Sequence, residues 1–278
     1  MVNLLAALLL WPPPGRIVST APAATEILFA LGLGPRVVGV TQFCNYPPEA
    51  RAKPRVGTFL QPNIEVILRL KPDLVVIQKN PVRLGERLES MGLKTIEVDQ
   101  PTVEAVFDSI RRIGAAAGAP ERAAALERQM RAELEAIRRK VAGRAPPRAV
   151  FIVGRNPNAI EGLVAVGQGA YLNELMALAG GRNIFGDAGA PYPRIGLEEV
   201  LARNPEVVID MGDMASTQNV TDQQTRAVVA LWNRYPSLAA VKNRRVFAVA
   251  SDIFVVPGPR IVDAAREFAR MFHPEAAW

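Results

Sequence analysis

Ile64-Glu-Val-Ile-Leu-Arg-Leu-Lys-Pro-Asp-Leu-Val-Val76 and Leu197-Glu-Glu-Val-Leu-Ala-Arg-Asn-Pro-Glu-Val-Val-Ile209 are one pattern written twice, at a constant offset of 133 residues. Each copy reads as a short helix, a proline that ends it, and an apolar run of strand type. A looser pair, Thr25-Glu-Ile-Leu-Phe-Ala-Leu-Gly32 against Asn173-Glu-Leu-Met-Ala-Leu-Ala-Gly180, reads as a helix stopped by glycine. Solvated helices that merely resembled each other would share neither the proline nor the buried strand behind it. The repeat therefore divides the chain into two similar α/β lobes.

The flanking sequence fits that division. Arg16–Ser19, Val37–Val40, Leu74–Ile77 and Thr95–Val98 read as strands, and helical patterns alternate with them, as in parallel βαβ units. Residues 102–142 are rich in Ala, Glu and Arg at helical spacing, and Pro120 separates two helices there. The second, from about Pro120 to Val141, would be ~30 Å long at ~1.5 Å per residue. Alternation resumes at Ala149–Val153, Leu172–Ala179, Val207–Ile209 and Val246–Val249. The expected fold is α/β: two similar lobes with parallel sheets, joined by a long backbone helix, with a ligand cleft between the lobes. The expected boundaries are an apolar N-terminal arm or signal remnant over 1–15, an N-terminal lobe over 16–101, connecting helices over 102–146 and a C-terminal lobe over 147–278.

Composition removes several function classes. With 49% hydrophobic and 22% charged residues, the 278-residue chain has an ordinary globular mix. Cys44 is the single cysteine and His273 the single histidine. No disulfide framework, four-cysteine cluster or multi-histidine metal site can be built from them. His273 lies in the C-terminal tail, where it is expected to be exposed, and a Ser-His-Asp triad there is not expected. The net charge of +6 is spread along the chain, so nucleic acid is not an expected partner. Gly32-Leu-Gly34-Pro-Arg-Val-Val-Gly39 has the wrong spacing for a dinucleotide fingerprint and lies between helix and strand in the wrong order. Without a Walker A motif or a Gly-x-Ser-x-Gly elbow, an enzyme is not expected. The opening run Met1–Trp11 resembles the apolar core of a secretory signal, though it lacks a charged leader and a clear cleavage site. It is too short to span a bilayer.

Ligands favour the carboxyl ends of parallel strands and the interfaces between domains. The loops there carry Phe43, Cys44, Asn45 and Tyr46, then Phe59, then Gln78–Asn80 in the first lobe. In the second they carry Arg155-Asn156-Pro157, Ala190-Pro-Tyr192-Pro-Arg194 and Ser251-Asp252-Ile-Phe254. Tyr46 could equally pack a turn, Phe59 and Tyr192 could pack lobe against lobe, and Asp252 could cap the turn it begins. Cys44 reads first as a small buried residue.

Several ordered segments together resemble one family. These are Ser19–Glu26, Asn45-Tyr-Pro-Pro48, Asn63–Val76, Gly180-Gly-Arg-Asn-Ile-Phe185, Val200-Leu-Ala-Arg-Asn-Pro205, and Ser251-Asp252 with Pro259-Arg260. Over about residues 16–270 the chain resembles the helical-backbone periplasmic binding proteins of ABC importers, the group for cobalamin, haem and iron-siderophores. The likeness runs to the cobalamin-binding type in particular. The resemblance implies a monomeric, extracytoplasmic carrier without cofactor or resident metal. It would hold a metal chelate, a corrinoid, and hand it to permease subunits at the membrane surface. It further implies ligand contacts at Tyr46, Phe59, Tyr192 and Asp252, with Gln78 and Phe254 beside them. Gln78 stands where that type can have tryptophan, and Val256 where it can have arginine. Glu65 and Glu198 match the acidic residues, one per lobe, that dock on permease arginines. As carboxylates at helix starts they would also favour the helix dipole by ~0.3–1 kcal/mol without any partner.

Two other readings stay open. Haem or a ferric siderophore could fill the same fold, with Tyr46 or Tyr192 on haem iron or with Arg155, Arg194 and Arg260 around an anionic chelate. The fold could also serve as a ligand sensor without a transporter.

Overall fold

The computed structural model describes residues 13–80, 82–212, 221–276 and 278. Most of the expected N-terminal arm, residues 1–12, lies outside the described residues. Chain contacts divide the protein into two compact units: one ends at Gln100 and adds Glu104–Gln129, and the other is Pro101–Val103 with Met130–Trp278.

The first unit runs β1 (Ile17–Ser19), α1 (Pro22–Ala30), β2 (Val37–Val40), α2 (Ile64–Arg69), β3 (Leu74–Gln78), α3 (Leu84–Glu89), β4 (Thr95–Val98) and most of α4 (Val103–Ala116). The strands form a parallel sheet in the order β2-β1-β3-β4. β1 and the first four residues of β3 are wholly buried, so these strands read as unbroken apolar runs. Val18, Val75 and Ile77 pack with Ile67 of α2 and with Leu84 and Leu88 of α3.

The long helix α5 (Pro120–Val141) begins in the first unit and ends in the second, so the segment read as connecting helices is shared out between the two. The second unit continues with β5 (Arg148–Gly154), β6 (Leu163–Ala165), α6 (Tyr171–Leu178), β7 (Arg182–Asn183), β8 (Arg194–Ile195), α7 (Leu197–Arg203), β9 (Val207–Asp210), α8 (Asp222–Trp232), α9 (Ala239–Lys242), β10 (Val246–Ala248) and α10 (Ile261–Phe272). Among the described residues the sheet order is β10-β9-β5-β6-β8, with β7 beside β5. β10, β9, β5 and β7 are parallel, but β6 pairs antiparallel with both β5 and β8. The expectation of an all-parallel second sheet is therefore corrected: its edge is mixed. β6 and β8 are three and two residues long, too short for periodicity to reveal them.

β5 faces two cores. Val150 and Ile152 join Val208, Val200 and Trp232 on one side. Phe151 points the other way, edge-on to Phe254 and Phe268 at 5.4 and 5.5 Å, and Phe268 stacks on Phe272 of α10.

The repeat holds at the level of the backbone. α1 and α6 both close in a Schellman motif: Leu33 N donates to Leu28 O and Gly181 N to Met176 O, around Gly32 (φ 67°) and Gly180 (φ 80°). α2 and α7 both end on a left-handed non-glycine residue before proline, Lys71 (φ 46°) and Asn204 (φ 42°). Proline disfavours right-handed helical geometry in the residue before it, which stops each helix there.

His273 is 3% exposed, which corrects the exposed-tail reading. Its Nε2 lies 3.1 Å from Gly180 O, and Trp278 Nε1 donates to its carbonyl at 3.0 Å. α10 folds the tail back onto α6, so nearness to the C-terminus does not expose it. A Cβ added at Gly180 would sit 2.6 Å from His273 Nε2 and in left-handed backbone. Gly180→Ala should lower stability by about 2 kcal/mol, read as a lower urea midpoint. An unchanged midpoint would refute this role for the glycine.

Candidate functional site

Three loops at the carboxyl ends of the first unit's strands are tied together by hydrogen bonds. The loop after β2 is pinned from beneath: Arg55 Nη1 donates to Thr41 O at 2.8 Å and Cys44 O at 3.2 Å, and Arg51 Nε donates to Asn45 O at 3.0 Å. That leaves Phe43 and Tyr46 exposed, at 60% and 44%. Gln42 N donates to Gly57 O at 3.0 Å, joining this loop to the turn that carries Phe59. Asn80 Nδ2 donates to Phe59 O at 3.4 Å, joining the turn to the loop after Gln78. Phe59 and Gln78 are half-buried. The expected residues Tyr46, Phe59 and Gln78 thus belong to one bonded cluster of loops.

In the second unit Tyr192 is held between prolines whose carbonyls are fixed: Gly167 N donates to Pro191 O at 2.8 Å and Ala165 N to Pro193 O at 3.0 Å. The residue is 46% exposed. Desolvation raises its phenol above the ordinary value of 10.0, so Tyr192 is neutral and a donor at pH 7. Asp252 starts a 3-10 turn after β10 and accepts from Arg260 Nη1 at 2.7 Å. Phe254 is 2% exposed and packed among Phe151 and Phe268, so its expected place beside the ligand is corrected: its ring belongs to the core. Aromatic residues in a strand-end loop look alike in sequence whether the ring faces in or out. Val256 is buried as well.

The arginine-cluster reading is corrected too. The Arg155 side chain is 3% exposed and paired with the wholly buried Asp210 at 2.9 Å, and Arg260 is paired with Asp252, so of the three only Arg194 remains exposed. Trp232 Nε1 and Gly212 N both donate to Asp210 at 2.6 Å. The sequence reading did not identify this network. Its one signal was a carboxylate closing the apolar run Val207-Val-Ile-Asp210.

Glu65 and Glu198 are each the second residue of their helices, α2 and α7, and both are exposed. Asn63, which caps α2, donates its N–H to Val56 O, and Val56 N donates to Val40 O at the end of β2. Glu65 therefore lies toward the same strand ends as the aromatic loops. Glu198 borders a polar cavity of about 390 Å³ with Arg234 and Tyr235. The adjacent Glu199, which could substitute for Glu198, is paired with Arg203 at 3.0 Å.

Burial pushes the Cys44 thiol up, against hydrogen bonds from Thr25 and Thr41 that lower it. Among the described residues no three His, Cys, Asp or Glu side chains are grouped to hold a metal ion, and no helix is long and apolar enough to cross a membrane.

Residues 17–253 match the family of periplasmic binding proteins. The chain belongs to that family. It is similar to the vitamin B12-binding protein of Salmonella typhimurium, at 32% identity over 96% of this chain and 95% of the relative. Among solved structures it is similar to the periplasmic vitamin B12 binding protein BtuF of Vibrio cholerae, with a TM-score of 0.77 and 30% identity, covering 94% of this chain and 98% of that one. It is similar as well to the periplasmic heme-binding protein RhuT from Roseiflexus sp. RS-1, with a TM-score of 0.76 and 29% identity, covering 94% and 99%.

For the thiol the expected result is inertness. At pH 8 Cys44 of the folded protein should react with a disulfide reagent roughly tenfold or more slowly than in denaturant. Equal rates would show that the thiol is neither buried nor protonated.

Proposed function

We propose that this periplasmic binding protein captures a corrinoid of the cobalamin type and delivers it to the permease of an ABC importer. The observation that carries the reading is the set of aromatic side chains Tyr46, Phe59 and Tyr192 on rigidly bonded loops at strand ends, in a chain whose relatives are vitamin B12-binding proteins along almost its full length. A corrin offers a broad apolar face rimmed with amides. Aromatic rings cover such a face at little entropic cost, since each has only two torsions to fix. The neutral Tyr192 phenol can donate to an amide oxygen at the rim. Gln78 and the Asp252–Arg260 pair would serve as polar contacts. Haem is the second reading, because a haem-binding structure is similar at nearly the same identity. A raised phenol pKa works against it at Tyr192, since ligation of ferric haem uses the phenolate.

Glu65 and Glu198 would dock on basic residues of the permease, one carboxylate from each unit. Exposed charges of this kind set register and association rate more than ligand affinity.

Calorimetric titration of refolded, ligand-free protein tests the reading. Cyanocobalamin should bind one-to-one at micromolar Kd or tighter, ~−8 kcal/mol or better. Tyr46→Ala and Tyr192→Ala should each weaken it about tenfold, the effect of losing a good aromatic anchor. Heat from haemin or a ferric siderophore, and none from the corrinoid, would overturn the corrinoid reading. For docking, the double charge reversal Glu65→Lys, Glu198→Lys should abolish uptake in reconstituted vesicles and leave Kd unchanged; undiminished uptake would refute it.

A further inference from the structure

The Arg155–Asp210 pair forms one wall of a cavity of about 220 Å³ inside the second unit. The ends of β9 and β10 supply Gly212 and Ala250, and α8 supplies Gln224 and Thr225, with Asn158 at the side. The volume is far below what a corrin ring needs and well above that of a water molecule, at ~30 Å³. It admits a substituent of a few heavy atoms.

The donors around Arg155 are almost all spent. Nε donates to both oxygens of Asp210, and Nη1 donates to Asn156 O and Ala159 O, each at 3.1 Å. Nη2 donates to nothing among the described residues and is the part of this 3%-exposed side chain that is not wholly buried. Asp210 is filled in turn by Trp232 and Gly212. The buried guanidinium is thus fixed in orientation with one nitrogen left for a guest.

The charge balance selects the guest. Asp210 already neutralises Arg155, so a carboxylate in the cavity would leave one negative charge in excess beside the buried Asp210, at a cost. A neutral carbonyl oxygen can accept from Nη2 without that cost. A primary amide would also donate its own N–H groups; Thr225 and Asn158 line the cavity and carry side-chain oxygens able to accept them, whereas the Gln224 oxygen is already taken by Thr221 N and Oγ1. The chain after β10 links the cavity to the candidate site in sequence: β10 ends at Ala248, residues 248–250 line the cavity, and Asp252 lies two residues further on.

We propose that this cavity is a carboxamide subsite, in which Arg155 Nη2 donates to the carbonyl oxygen of a primary amide on the rim of the bound corrinoid. The assignment of that amide to a corrin rests on the function proposed above.

The indole N–H of Trp232, bonded to Asp210, is a built-in reporter, distinguishable from Trp11 and Trp278 by a Trp232→Phe control. In ¹H–¹⁵N spectra of the ligand-free protein, millimolar propionamide should shift this resonance saturably and propionate should not. Thr225→Phe, which fills the cavity and leaves the ion pair intact, should abolish the shift. Arg155→Met/Asp210→Asn, which removes both charges together and keeps an acceptor for Trp232, should abolish it too; retained thermal midpoints would show that both variants fold. Silence from propionamide, a larger response to propionate, or an unchanged shift in the folded double variant would overturn the subsite. Cyanocobalamin affinity should fall about tenfold in Thr225→Phe, as for a lost hydrogen bond to a charged group. If the wild type binds no cyanocobalamin, the corrinoid reading and the corrin part of this assignment both fall, while the propionamide response still decides the subsite. If cyanocobalamin binds wild type and variants equally, the corrin assignment falls and the corrinoid reading stands.

Discussion

A parallel strand buried on both faces has no polar side on which chemistry can be set out. β1 and β3 meet this constraint with side chains that are almost all apolar and fully covered. The candidate ligand groups of this unit therefore sit at or beyond the strands' carboxyl ends, where the backbone leaves the ladder. The loops must then be rigid by their own hydrogen bonds. Arg55 provides this under Tyr46, and Gln42 and Asn80 tie the neighbouring turns to it. Rigidity matters here because exposed aromatic rings bind well only if ordering them costs little when the ligand arrives.

The duplicated pattern was legible because it uses residues with strong local consequences. Pro72 and Pro205 stop helices, and Gly32 and Gly180 supply left-handed caps; both act through the backbone, whatever surrounds them. Tyr46, Phe59 and Tyr192 were legible as candidates because they occupy loops between strongly patterned elements. Phe254 was not separable from them: its ring turns inward because α10 packs behind it, a long-range contact that no local pattern encodes. His273 failed for the same reason, since a helix folding back onto α6 buries a residue that sequence position alone would expose. The antiparallel edge escaped because β6 and β8 owe their existence to pairing, not to propensity.

The two units are alike in frame and unlike in polarity. The first closes its strand ends with backbone-pinned aromatic loops. In the second, Asp210 at the end of β9 and Arg155 just after β5 put an ion pair at adjacent strand ends. Residue 77, the repeat counterpart of Asp210, is Ile. A buried ion pair is rarely retained for stability, because desolvation offsets most of its attraction, and breaking it one-sidedly costs about 3–5 kcal/mol. Its value lies in orientation. A guanidinium clamped through Nε and Nη1 cannot swing away, so its remaining nitrogen has a fixed direction.

That difference bears on how a two-unit binder can be selective. Aromatic faces alone would accept any flat macrocycle, haem and corrin alike, since stacking reads shape and little else. Discrimination needs groups that care about the rim, where one macrocycle carries carboxylates and the other amides. A neutralised arginine favours the amide. An unpaired arginine cluster would have favoured the opposite rim. In this chain Arg155 and Arg260 are each held by a carboxylate. In the proposed site the pairing of its arginines, more than the number of its aromatics, would set the chemistry its strand ends can select.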